Sequence, residues 1–341
     1  MTKTIKIQIS MKRTKTFLLI LLTAMTLWGC NPKPATQQEA DNRIPVIFDT
    51  DANNELDDQH ALAYLLLNDE TFHTIGVTVN ATWNGGEIGE HVKEAQRIVQ
   101  LCDMTDKVPV IPGANGAFTE ISGQIGEPGF DGHEAVDFII KEALKTRDQT
   151  LVLLPVGKLT NVALALQKEP SIAEHIRVVW LGSNYPDPGE YNQDNDTASM
   201  GYVLRTGVPF EMATVRYGKH SGTAAVRVRQ QEIFDRMPGL GPRVAEPVIG
   251  RHGGEFTSIG DYSVNLFSHI QHFEEDSSRS LFDMAAVAIV RGPSWATPTE
   301  IPCPVYVAGH WVEQPDNPRK ILVWENFNRE KIMADFYASF E

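Results

Sequence analysis

Pro45-Val46-Ile47-Phe48-Asp49-Thr50-Asp51-Ala52-Asn53-Asn54-Glu55-Leu56-Asp57-Asp58 is an apolar run that turns abruptly acidic. Residues 45–48 have the unbroken apolar character of a strand buried on both faces. Four Asp and one Glu then fall within ten residues, and the last two Asp open a helical pattern over 58–67, with Ala61, Leu62, Leu65 and Leu66 on one side. A helix N-terminus favours negative charge by only ~0.3–1 kcal/mol. That does not hold several carboxylates together at the end of a buried strand. Carboxylates that close raise one another's pKa unless a cation sits among them. Oxygen-only ligands select a hard cation, and a loose acidic site suits Ca²⁺ better than Mg²⁺. The plainer alternative makes Asp57 a helix N-cap and leaves the others as solvated turn residues.

Outward from this stretch the same alternation continues. Further strands are expected at 73–79, 108–111, 151–156, 177–181 and 210–215, and further helices at 87–101, 135–144 and 160–167. The β-α-β-α order predicts an α/β fold: an open, mostly parallel, Rossmann-like sheet with helices on both faces. Residues 305–312 and 321–324 flank Pro-Asp-Asn-Pro and read as an antiparallel hairpin at one edge. In such sheets the chemistry lies beyond the carboxyl ends of the strands.

The first segment has a different character. Residues 11–15 are basic, 17–28 are apolar but short for a bilayer span, and Gly29-Cys30 follows. This is the pattern of a lipoprotein signal peptide over 1–29, with Cys30 acylated, although Trp28 is unusual in that motif. A plain signal peptide with a coincidental Cys is the alternative. Residues 30–43 read as a flexible tether and 44–341 as the folded domain. These features place the protein outside the cytoplasm, anchored to a membrane through lipid. Residues 1–29 hold five of the 30 Lys and Arg and none of the 44 Asp and Glu, which leaves the remainder at a formal net charge of −19. Such a surface repels phosphate backbones and argues against nucleic acid as a partner. Cys102 and Cys303 show no disulfide framework and read as isolated thiols.

Asp49-Thr50-Asp51 at a strand end also looks like the nucleophile motif of haloacid-dehalogenase-type phosphatases. Asn53 stands where that motif has Thr or Val, and it has no use for Asp57 and Asp58. The chain instead resembles the inosine/uridine-preferring nucleoside hydrolases. Four segments carry the resemblance in order: the Asp-Thr-Asp stretch with its Asp pair; Leu159-Thr160-Asn161-Val162-Ala163; Leu181-Gly182 followed by Asn184, Glu190, Asn192 and Asp196; and Leu281-Phe282-Asp283-Met284-Ala285-Ala286.

The resemblance implies cleavage of the N-glycosidic bond of ribonucleosides by a calcium-activated water. It implies calcium ligands Asp51, Asp58 and Asp283 through carboxylates and Thr160 through its carbonyl, with Asp51 also the general base. It implies ribose contacts from Asp57, Asn192 and Asp283, and 5′-hydroxyl contacts from Asn184 and Glu190. For the Asn after the second strand, Asn84 competes with Asn80. A homo-oligomer is implied by analogy with relatives.

Three departures stand out. Five residues, 52–56, separate Asp51 from the Asp pair, where the family's common form has three. Phe282 stands where one branch has a His credited with protonating the base, and Phe donates no proton. Stacking on the base by Trp83 or Phe282 is one role for these aromatics; core or lid packing is the other. His133, His220 and His252 receive no role. Residues 229–260 match nothing recognisable. A related glycosyl hydrolase with another substrate, or a calcium- or sugar-binding surface lipoprotein without catalysis, are the competing functions.

Overall fold

The protein's structure, a computed structural model, describes residues 41–271 and 277–341. The expected leader, Cys30 and most of the tether lie outside the described residues. Among the described residues no helix is long and apolar enough to cross a membrane.

Six strands run parallel through the centre: β1 (Ile44–Thr50), β2 (Phe72–Val79), β3 (Val110–Pro112), β4 (Leu151–Pro155), β5 (Ile176–Ser183) and β6 (Phe210–Thr214). Their spatial order is β3-β2-β1-β4-β5-β6. Lys320–Glu325 continues the sheet parallel to β6, and Thr297–Pro302 closes that edge antiparallel to it. The expected mostly parallel sheet is present. Strand bounds differ from the reading by one or two residues at most ends.

Side chains along β1 alternate between two cores. Val46 and Phe48 join the helices Asp57–Leu66, Ile88–Leu101, Ile259–His269, Phe282–Arg291 and Arg329–Ala338 on one face. Ile47 joins His133–Ala143, Thr160–Lys168 and Thr197–Arg205 on the other. Both faces are therefore covered, which is why the strands read as continuous apolar runs.

The expected edge hairpin needs correction. Val305–Val307 pairs with His310–Val312 as its own small ribbon, and Lys320–Glu325 belongs to the main sheet. Ala308 and Gly309 both adopt positive φ, 50° and 80°. Two such residues make the tight turn that folds one apolar run back on itself.

The chain order reverses between β1 and β4, so a crevice opens beyond their carboxyl ends. A buried polar network braces it. Asp49 accepts hydrogen bonds from Thr78 Oγ1 at 2.6 Å, Asn80 Nδ2 at 2.7 Å and Asn161 Nδ2 at 2.8 Å. Asn161 also donates to Val79 O, and its Oδ1 accepts from the Ala114 N–H at 2.8 Å. Burial lifts the Asp49 carboxyl to about 6, with these three donors pulling it back. Gly113 leaves room for this approach: a Cβ there would lie 2.2 Å from Val79 O and 2.4 Å from Asn161 Nδ2.

Asn161→Ala removes the shared partner of Asp49, Val79 and Ala114. The expected cost is about 2–3 kcal/mol of stability, from a buried donor and acceptor left unpaired. Urea denaturation of the purified protein measures it, and a cost under ~0.5 kcal/mol shows that Asn161 does not brace the crevice.

Candidate active site

The chain leaves β1 at Thr50 and turns at once, with the Asn54 N–H donating to Asp51 O at 2.9 Å. Leu56 takes the cap position of the helix Asp57–Leu66, without a side-chain cap. Asp57 is thus the first helical residue, not its N-cap. The plainer reading of this stretch fails for a second reason: Asp49, Asp51, Asp57 and Asp58 are all buried rather than solvated.

Asp51, Asp57 and Asp58 line a cavity of about 410 Å³ together with Glu190, Asn192 and Asp283. Asp283 is the second residue of the helix Phe282–Arg291. That helix and Asp57–Leu66 share one apolar core, which brings sequence-distant carboxylates together. One carboxylate oxygen from each of Asp57, Asp58 and Asp283 lies within 4.8 Å of the other two. Thr50 Oγ1 donates to Asp58 Oδ1 at 2.5 Å and Thr82 Oγ1 to Asp51 Oδ2 at 2.5 Å, so two of the acids are oriented by hydroxyls.

Every one of these acids is pushed up from the ordinary carboxylate range. Burial is the first cause throughout. Asp57 reaches about 7, with Asp51 and Glu190 adding repulsion. Asp58 and Asp283 stand well above the usual value, each raised further by its acidic neighbours. Glu190 reaches about 7. Asp51 is raised by burial, with Thr82 pulling it back.

A hard divalent cation fits this arrangement. Ca²⁺ takes oxygen ligands at about 2.3–2.6 Å, so two oxygens on opposite sides of one ion stand roughly 4.6–5.2 Å apart. The three carboxylates meet that limit, and their donor set is oxygen alone. The tight trio contains Asp57 where the reading of the sequence placed Asp51. Asp51 lines the same cavity beside it.

The remaining expected residues divide. Asn192 is buried, donates through Nδ2 to Val156 O at 2.7 Å, and its Oδ1 at the cavity wall has no partner among the described residues. Phe282 lines the cavity, its ring edge-on to Tyr217 at 6.0 Å. Asn184 sits behind the wall: its Oδ1 accepts the Tyr217 N–H at 3.0 Å. Thr160 is buried away from the lining, with its hydroxyl donating to Asp196 Oδ2 at 2.5 Å. Asn84 is exposed, and its N–H donates to the Tyr191 hydroxyl. Asn80 is the more deeply placed alternative: a Cβ on Gly157 would lie 2.9 Å from both its amide and Asp51 Oδ1. Trp83 is 68% exposed and packs edge-on against Tyr191, which does line the cavity.

His133, His220 and His252 are absent from the lining. Tyr217, Arg227, Ser278 and Arg279 line the cavity and carried no sequence signal. Ser278 and Arg279 come from a two-stranded ribbon, Arg227–Arg229 with Ser278–Ser280, whose partners are about fifty residues apart in the chain. The unmatched stretch 229–260 contains the helix Gln230–Arg236 and a short ladder, Val248–Ile249 with Glu255–Phe256. Its Arg251 donates to Glu55 O at 2.8 Å and so supports the acidic loop.

Comparison with known proteins adds the lineage. Residues 46–334 match the family model described as inosine-uridine preferring nucleoside hydrolase. The pyrimidine-specific ribonucleoside hydrolase RihA of Shewanella sp. (strain MR-7) is 29% identical over 193 residues, 49% of this chain and 58% of that protein. The aligned part therefore spans less than two thirds of that relative. The non-specific ribonucleoside hydrolase RihC of Klebsiella pneumoniae is 24% identical over 291 residues, 79% of this chain and 86% of that one. The solved purine-preferring ribonucleoside hydrolase of Gardnerella vaginalis superposes with a TM-score of 0.69 at 22% identity, covering 87% of this chain and 98% of that one. It shares the fold.

Three mutually repelling acids predict a frustrated metal-free protein. At pH 8 in chelator, Asp283→Asn is expected to raise Tm by about 2–4 °C, since one buried charge is removed. Added calcium is expected to raise the Tm of the wild type and to leave that of the variant unchanged. Scanning calorimetry with and without calcium checks both; a lowered Tm in chelator shows that the acids do not repel.

Proposed function

Because the chain belongs to the inosine-uridine preferring nucleoside hydrolase family, whose members are N-glycosyl hydrolases, we propose that it hydrolyses ribonucleosides to ribose and free base with Ca²⁺ as its cofactor. The observation that carries this reading is the trio of carboxylate oxygens from Asp57, Asp58 and Asp283 within 4.8 Å, in a cavity that also presents Asp51. Those three acids would hold the ion. When bound, a hard divalent cation supplies the positive charge that offsets the acids and makes neighbouring water more acidic.

The chain's own groups supply the rest. Asp51, held by the Thr82 hydroxyl, takes the proton as water attacks C1′. The C1′–N bond breaks, its electron pair leaves with the base, and the base takes a proton from solvent. The sugar ring passes through a state with positive charge at C1′, as in other glycoside hydrolyses. A wall of carboxylates stabilises that charge. The unpartnered Oδ1 of Asn192 and the Glu190 carboxylate offer acceptors to sugar hydroxyls. Phe282, Tyr191 and Tyr217 give apolar faces on which a planar base can rest.

The sequence pattern at 11–30 supports a further part of the reading: an exported protein carrying lipid on Cys30. A bilayer-anchored hydrolase of this kind meets nucleosides outside the cytoplasm.

Purified protein assayed against inosine, uridine, adenosine and guanosine is expected to release reducing sugar from at least one. Chelation should cut the rate by more than about ten-fold, with recovery on adding calcium. Asp51→Ala should lower kcat/KM by about 10³-fold, the usual weight of a general base with its electrostatic role. Undiminished turnover by Asp51→Ala overturns the proposed chemistry.

A further inference from the structure

The lengthened acidic loop and the ribbon Arg227–Arg229/Ser278–Ser280 add polar groups to the cavity that the proposed hydrolytic step does not use. Ser278 is completely buried, lines the cavity, and its Oγ has no hydrogen-bond partner among the described residues. Its neighbour Ser280 lines the same cavity but is satisfied, donating to Ala224 O at 2.9 Å. Asn54, inside the five-residue spacer, also lines the cavity, and its Oδ1 is buried without a partner among the described residues. Buried polar atoms are nearly always paired, and leaving two open at one cavity costs stability. Such atoms persist where a ligand completes them.

Both are rigidly placed. The Asn54 N–H is tied to Asp51 O. The next residue, Glu55, pairs through its carboxylate with the buried Arg279 guanidinium, one residue from Ser278. The Glu55 carbonyl accepts from Arg251 at 2.8 Å and from Gln59 at 3.2 Å. So one ion pair joins the spacer to the ribbon and fixes the two open atoms relative to each other.

We propose that Asn54 and Ser278 form a leaving-group subsite, taking a ring N–H at Asn54 Oδ1 and a ring carbonyl at Ser278 Oγ. The ligand class is a heterocyclic base with a donor and an acceptor on one edge. This deepens the ribosyl-hydrolase reading and rests on it. It also assigns the lengthened spacer a purpose: Asn54 reaches the base and Glu55 anchors the loop, while Asp57, Asp58 and Asp283 serve the sugar end. Selection here comes from hydrogen bonds that a wrong leaving group leaves unmade.

The test uses the full chain with calcium and two kinds of substrate. Uridine and inosine carry the N–H and carbonyl; p-nitrophenyl β-D-ribofuranoside carries neither on its ring. For Ser278→Ala and Asn54→Ala, kcat/KM on the nucleosides is expected to fall about 10- to 100-fold, mostly through KM. Turnover of the p-nitrophenyl riboside should fall less than about three-fold, which also shows that the variants are folded. Free uracil and hypoxanthine, as inhibitors of p-nitrophenyl riboside cleavage, should weaken by the same factor as the nucleosides. Equal losses on both kinds of substrate, or unchanged nucleoside kinetics, overturn the subsite. A wild type that cleaves the p-nitrophenyl riboside but no nucleoside keeps ribosyl hydrolysis alone and overturns both the nucleoside substrate and the subsite. A wild type that cleaves neither overturns the hydrolase reading, and the subsite with it.

Discussion

Buried like charges must be offset, and that constraint organises this protein. Asp57, Asp58 and Asp283 are buried where little solvent screens them, with Asp51 and Glu190 on the same cavity. None can turn away cheaply. Asp57 and Asp58 sit in the first turn of a helix whose residues are buried throughout, and Asp283 begins another buried helix packed into the same core. Apolar burial therefore forces the acids together, and the acids in turn call for a cation. The helix dipole contributes only a fraction of a kcal/mol to each acid, too little to balance their repulsion. A divalent ion held among them, as proposed, would supply the missing positive charge.

Behind the acids lies a layer whose role is orientation. Asp49 shares the acidic stretch but does not face the cavity. It is the hub of a hydrogen-bond network that joins β1 to Thr78, Asn80 and Asn161. Asn161 ties the start of the helix Thr160–Lys168 to the loop after β3, through Ala114. Adjacent residues of one motif thus divide their work. In the proposed reaction Asp51 would meet the reacting groups, and Asp49 fixes the strand end from which Asp51 projects.

The sheet was legible in the sequence because its strands are buried on both faces, so runs such as Leu151–Pro155 are apolar without interruption. The edge was not. Residues 305–312 show the composition of one strand, and only the positive φ of Ala308 and Gly309 divides them. The acidic stretch was legible because its members are neighbours in the chain. Which of them converge was less so: Asp51 ends an extended segment and Asp57 begins a helix, and spacing alone does not say which carboxylate points toward Asp283. Tyr217 and Ser278 gave no local signal at all. They reach the cavity through pairings between distant segments, as when Ser278 pairs with Arg229 in the ribbon.

The lengthened spacer shows how a loop departs from its family's common form and still stays ordered. Two additional residues raise the conformational entropy that folding must overcome, and a loop on a cavity rim has little core to bury. Here polar anchors replace a core. Glu55 is gripped at its carboxylate by Arg279 and at its carbonyl by Arg251, and Asn53 donates through its amide to Gly85 O at 2.6 Å. Arg279 is 3% exposed, and burial lowers its pKa to about 10, still far above neutrality, so it remains charged. A buried guanidinium without an acid would be strongly destabilising. The longer loop and the arginine are therefore coupled: Arg279 holds the loop through Glu55, and Glu55 supplies a counter-charge to a guanidinium in the cavity wall. Stretch 229–260 enters through the same pair, since its Arg251 completes the grip on Glu55. Change at the rim of this cavity is thus constrained to occur in concert across three segments that lie far apart in the chain.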